Sequence, residues 1–164
     1  MDSRIKQAIL LAVFFISNSI LAQDTLPPLN RVIINYVETV IGKKVDRGEC
    51  WDIANEALKL AGAKWDLKMK YGRLLDYKKE TIFPGDIIQF KNVMVEYKTE
   101  VENGTQISRE TMGQHTAIVY RVNAPGDLQL AHQNTGFSGR KVGVSRFVLA
   151  NIKKGKIWVY RPEK

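Results

Sequence analysis

Cysteine is nearly absent from this sequence: Cys50 is the single one among 164 residues. No intramolecular disulfide is possible, so the fold has to be held by its core rather than by covalent staples. Histidine is almost as scarce, with only His115 and His132. Paired metal-ligand spacings such as CxxC and HxxxH are therefore missing. A zinc ion shared by Cys50, His115 and His132 is the one metal arrangement left open, and neither a metal nor an organic cofactor is expected. Glycine-rich phosphate or dinucleotide loops do not occur, nor does a GxSxG elbow. No uncharged run reaches the ~20 residues of a membrane-spanning helix, so stable membrane insertion is not expected. Repeats and low-complexity tracts are absent too.

The N-terminus has a pattern of its own. Arg4 and Lys6 precede the uncharged run Ala8 to Ile16, which leads through Ser17-Asn18-Ser19 to Ile20-Leu21-Ala22. A basic start, a short apolar middle and a small residue at the end describe a cleaved signal peptide over residues 1–22. Ser19 is the other candidate cleavage site, and an anchor or a buried core helix is the alternative. The expected mature chain is one domain, 23–164, monomeric and secreted or periplasmic. Removing Arg4, Lys6 and Asp2 from the 25 basic and 17 acidic residues leaves 23 and 16, a net charge of +7. Such a charge attracts anionic partners. For an exported protein these are wall polymers or membrane surfaces before nucleic acid, and plain solubility is the alternative use.

Periodicity then sets the fold class. Val32, Ile33, Tyr36, Val37, Val40 and Ile41 form a helical stripe within Asn30 to Ile41, stopped by Gly42. A second helix is expected from near Glu49 to Ala61, ended by Gly62. Residues 63–82 read as a loop with a short helical turn. From Pro84-Gly85 onward the pattern is of strands: Asp86–Phe90, Val93–Val101, Thr105–Thr111, His115–Val122, Leu128–Asn134, Lys141–Phe147 and Ile157–Arg161. Asn103-Gly104 marks one hairpin and Asn123 to Gly126 another. Helices first and strands after predict α+β, with an antiparallel sheet.

Chemistry centres on Cys50, in GECWD at the expected start of the second helix. Free backbone N–H groups and the helix dipole at that place stabilise a thiolate, which predicts a lowered thiol pKa. The same N–H groups suit the oxyanion of an acyl-transfer intermediate. A buried structural thiol is the alternative. A thiolate needs a base, normally His. If Asn123 to Gly126 is a four-residue loop, His115 lies opposite Asn134 and His132 opposite Ala117, on one sheet face. Asn134 then orients His115, with His132 as the diagonal neighbour. Asn134-Thr135-Gly136 also reads as a simple turn. Trp51, Tyr71 and Tyr97 are either cleft lining or core.

Taken in order, GECWDIANEAL, PGDIIQF, QHTAIVYRV and LQLAHQNTG resemble the CHAP family of cysteine, histidine-dependent amidohydrolases/peptidases. They are similar, more loosely, to the NlpC-type peptidases. The resemblance spans roughly Lys44 to Gly136. It implies a papain-like fold, with the nucleophile helix packed on the sheet, Cys50 as nucleophile and His115 as base. The family's third-position segment commonly reads Glu-Gln-Asn, and here it is His132-Gln133-Asn134, so His132 stands where a carboxylate often stands. Implied, too, is amide cleavage in peptidoglycan without a cofactor. A wall-binding domain of the same fold without turnover is one rival. A thiol protease or acyltransferase acting on proteins is another, and a zinc-binding secreted domain is the third.

Overall fold

The computed structural model describes residues 26–164. The expected signal peptide lies outside the described residues. Among those described, no helix is long and apolar enough to cross a membrane. Helix α1 (Pro28–Val40) starts with Pro28 in the first turn, where a missing N–H costs nothing. It buries Asn30, Ile33 and Val37, one turn apart on a single face. Helix α2 (Asp52–Ala61) buries Ile53, Ala54, Ala57 and Leu58 and ends on Gly62 at φ 66°, the left-handed cap that glycine takes without strain. Its start is later than the sequence pattern implied: Trp51 is the N-cap, so Cys50 precedes the helix rather than lying in its first turn.

Six strands follow: β1 (Arg73–Leu74), β2 (Ile87–Val101), β3 (Gly104–Ala124), β4 (Asp127–His132), β5 (Gly143–Val148) and β6 (Ile152–Arg161). They form one antiparallel sheet in the order β1-β6-β2-β3-β4-β5. Two pairs of expected strands prove continuous. β2 runs through Asn92, at φ 51°, and β3 runs through Gly113. The turn between them is Glu102-Asn103, one residue earlier than expected, because Val101 pairs with Gly104. Residues 63–82 hold β1 and no helix.

Period-2 alternation splits the core into two layers. Ile87, Ile118 and Ala131 face the helices, with Ile33, Val37, Ile53, Leu58 and Tyr71. Ile88, Phe90, Ala117, Val119, Leu128, Leu130 and Phe147 pack on the other face. There the sheet curls on itself: the Phe90 and Phe147 rings meet edge to face at 5.2 Å, and Tyr97 Oη donates to the Arg146 carbonyl at 2.9 Å. The architecture is α+β, with two helices against an antiparallel sheet.

Pro84-Gly85-Asp86 is a structural node. Asp86 is fully buried and accepts a two-pronged contact from Arg161, Nε at 3.0 Å and Nη2 at 2.8 Å. Asn30 Nδ2 of α1 and the Phe83 N–H, each at 2.8 Å, bond to the same carboxylate. Gly85 has φ +86°, and a Cβ there would lie 2.7 Å from Asn30 Cα. The turn therefore ties α1, β2 and β6 together, and only glycine lets them approach. Asp86→Ala leaves a mostly buried guanidinium unpaired and is expected to cost ~3–5 kcal/mol. Denaturant unfolding measures it, and a loss under ~1 kcal/mol, the worth of a surface pair, contradicts this account.

Candidate active site

The loop before α2 carries Cys50. Asp52, buried at the helix start, accepts the Glu49 N–H at 2.9 Å and Arg47 Nη2 at 2.9 Å. Arg47 in turn lies over the Trp51 ring at 4.9 Å. Cys50 is held between these residues, half-buried. The N–H of Thr116 on β3 donates toward the thiol, and the N–H groups of Cys50 and Trp51 contribute less. Thr116 is itself fixed from behind: Tyr71 Oη lies 3.0 Å from its Oγ1, which donates to Gln89 Oε1 at 2.7 Å.

These donors do not decide the protonation state. Burial is the larger effect and, helped by the charge of Glu49, pushes the thiol pKa above its ordinary value. The lowered pKa expected from the helix start is not found, because Cys50 stands ahead of the helix and away from solvent. Burial also drives the Tyr71 phenol up to about 12.

His115 and His132 come together. His115 Nε2 lies 2.9 Å from His132 Nδ1, and His132 Nε2 lies 2.9 Å from Ser145 Oγ on β5. Both rings are buried, and burial lowers both pKa values from 6.5, that of His115 to about 4. The two rings are therefore neutral near pH 7, and they share one proton between Nε2 and Nδ1. One imidazole nitrogen of the pair is left over: Nδ1 of His115.

The register at this end of the sheet is the one expected, with Ile118 opposite Ala131. It arises differently, from a tighter Pro125-Gly126 turn and two irregularities within β3–β4. Asn134 nevertheless does not reach His115. The strand ends at His132, and Asn134 turns away at φ 60°, exposed, with Nδ2 donating to Glu49 Oε2 at 3.0 Å. The side chain within hydrogen-bond distance of His115 is that of His132, not Asn134. Asn134-Thr135-Gly136 forms the turn that was the simpler reading.

Two residues were not singled out beforehand. Gln133 is fully buried, and its side chain accepts the Val45 N–H at 3.1 Å while donating to the carbonyls of Val45 at 3.0 Å and Glu49 at 2.9 Å. Ser145 closes the histidine chain. A polar side chain alternating with Ala131 on the helix-facing side of β4 was the available signal for Gln133. Ser145 had none, since its importance rests on a partner strand.

Cys50, His115, His132 and Asn134 line one open cleft of about 560 Å³. Its walls are Glu110 to Gln114 of β3 and the turn through Thr135, Gly136 and Phe137. Trp51, Tyr71 and Tyr97 do not line it: Tyr71 stacks on Trp65 in the core and Trp51 tilts against the same ring. Among the described residues, no group of three His, Cys, Asp or Glu side chains is placed to hold a metal ion.

Fold and site together define a papain-like cysteine proteinase fold. Residues 29–164 match the family model of the AIM3/BBC1 cysteine proteinase-fold domain, and the chain belongs to that family. The resemblance to CHAP and NlpC-type enzymes thus holds at the level of the shared fold. No curated protein sequence matches the chain. Among solved structures it is similar to Ly7917, with a TM-score of 0.49 and 14% identity over 80% of this chain and 62% of that one.

Two predictions follow from the geometry. His132→Ala is expected to lower turnover more than Asn134→Ala, and His115→Ala most, by the ~10²–10⁴ that a positioned base contributes. Rate constants for folded variants check the order, and a larger loss for Asn134→Ala than for His132→Ala contradicts it. The thiol, held protonated, should gain reactivity only as pH rises through a pKa above the ordinary ~8.5. Iodoacetamide labelling of Cys50 against pH measures the midpoint, and a value well below 8.5 overturns the neutral-thiol picture.

Proposed function

We propose that this chain is a cysteine-dependent amidohydrolase or peptidase, with Cys50 as nucleophile and His115 as general base. The observation that supports it best is the linked pair His115–His132, anchored on Ser145, opening on the cleft that also exposes Cys50. When the shared proton sits on His115 Nε2, its Nδ1 is free to accept the thiol proton. The neutral His132 ring then fixes that tautomer and orientation.

The resting thiol and imidazole are both neutral, so proton transfer accompanies attack rather than preceding it. Sulfur bonds to the amide carbonyl carbon as its proton passes to His115 Nδ1. The N–H groups of Cys50 and Trp51 lie beside the sulfur and suit the developing oxyanion. His115 then protonates the departing amine as the C–N bond breaks, leaving a thioester. Water, deprotonated by the same nitrogen, releases the acid and restores the thiol.

The proposed substrate is the peptide portion of a cell-wall polymer, reached after export directed by residues 1–22. Motif order and the basic balance of the chain support that choice. The mature chain, incubated with purified wall sacculi, is expected to release fragments with new amine and carboxylate ends, identified by mass. Cys50→Ala should release none. If sacculi stay intact while Cys50 remains reactive toward alkylation, the wall is not the substrate.

A further inference from the structure

Positive charge gathers on the middle of the sheet. β6 opens Ile152-Lys153-Lys154-Gly155-Lys156 and has no acidic residue as far as its end at Arg161. β2 has none between Ile87 and Val95, and β3 none from Thr111 to Ala124. These strands lie side by side in the order β6-β2-β3. Their β2–β6 pairing is regular from Ile87–Tyr160 to Lys91–Lys156, so Lys91 and Lys156 stand directly opposite each other. Both are exposed, as are Lys153 and Lys154. Among the described residues, no side-chain hydrogen bond or ion pair takes up any of the four. Like charges directly opposite on adjacent strands are destabilising. Further along β2 the sheet does the reverse: Glu96 faces Arg109 and pairs with it at 2.9 Å. An external anion between the two ammonium groups turns their repulsion into attraction.

The strands leave room beside this pair. Asn92 has φ 51° and Gly155 φ +94°, and a Cβ on Gly155 would run into the Asn92 carbonyl oxygen. Only glycine lets the two strands meet there, and the β2–β6 register shifts between Lys91 and Met94. A hollow of about 330 Å³ lies at this level, lined by Lys154, Asn92 and Met94 and by Thr111, Met112 and Gly113. The last three also line the Cys50 cleft, and Gln114, another cleft residue, is paired with Lys91. The lysines of β6 are thus two strands, or about 10 Å, from the cleft wall on β3.

We propose that Lys91, Lys154 and Lys156 form a docking surface for the free carboxylates of the wall polymer, outside the Cys50 cleft and adjoining it. A polymer held there lies across the hollow and brings its amide bonds to the thiol. The choice of partner rests on the reading of the wall polymer as substrate. A hydrated polymer suits this surface better than a bilayer does. None of the exposed large apolar side chains lies within 91–94 or 153–156, whereas a face that settles into a membrane sets such side chains beside its lysines.

The test is co-sedimentation of the mature chain with wall sacculi, in a Cys50→Ala background so that nothing is cut. Lys91→Gln/Lys154→Gln/Lys156→Gln is compared with Lys59→Gln/Lys78→Gln/Lys164→Gln, which removes the same charge from exposed lysines elsewhere. The first is expected to bind about tenfold more weakly than the parent, as for three exposed charge contacts, and the second within about twofold of it. Amidation of the sacculus carboxylates, or raised salt, should bring the parent down to the first variant. Removing the opposed pair should leave the thermal midpoint unchanged or raised, which separates lost docking from lost fold. A lowered midpoint contradicts the repulsion on which the assignment stands. Equal loss in both triple variants overturns the proposal, as does no loss in the first or indifference to amidation. Tighter binding to phosphatidylglycerol vesicles than to sacculi, lost in the first variant, overturns it in favour of a membrane surface. If sacculi bind through these lysines but the chain with Cys50 intact does not cut them, the docking surface stands and the amidase reading fails. Cut sacculi with undiminished binding of the first variant give the reverse.

Discussion

Gln133 has no access to solvent, and its carboxamide is bonded entirely to the loop that leads to Cys50. The contact joins residues more than eighty positions apart. It makes one rigid piece of two segments that no strand pairing connects: the end of β4, with His132, and the loop Val45 to Glu49, with Cys50 next. A buried amide left unbonded costs more than a bonded one gains, so the loop and the strand have one favourable arrangement. Gln133 holds the end of β4 against the loop that leads to Cys50, and His132 and Cys50 border the same cleft.

Protonation in the site follows from burial more than from charge. Both imidazoles are pushed toward the neutral form, and so is the thiol. A neutral His132 makes a weaker partner for an imidazolium than a carboxylate would. On the mechanism proposed above this matters less, because the imidazolium forms only during reaction. Ser145 can donate or accept, so it follows the tautomer of His132 rather than dictating it. The ladder from Ser145 to Nδ1 of His115 has two proton arrangements, of which the mechanism proposed above uses one.

The fold class was legible because alternation and helical stripes report burial directly. Ile33 and Val37, Ile53 and Leu58, Ile87 and Ile118 all pack where their spacing put them. Pro84-Gly85-Asp86 was visible as a turn, but its importance lay in Arg161 and Asn30, which no local pattern connects to it. The pairing of His115 with the HQN segment was within reach, since register alone places Ala131 opposite Ile118. Its details were not. Asn134 leaves the strand at a positive φ to meet Glu49, a choice set by a contact 85 residues away. The direction of the Cys50 shift was misjudged for a related reason: helix-start arguments concern local dipoles, whereas desolvation depends on what covers the thiol in three dimensions.

A thiol kept protonated at rest has a further consequence, for its chemical lifetime. Peroxides and disulfides react with thiolate, so oxidation to sulfenic acid or capture as a mixed disulfide is slowed in proportion to the thiolate fraction. Cys50 has no neighbouring cysteine to rescue it, because the chain contains no other. Half-burial therefore gives the single sulfhydryl of this chain a passive shelter.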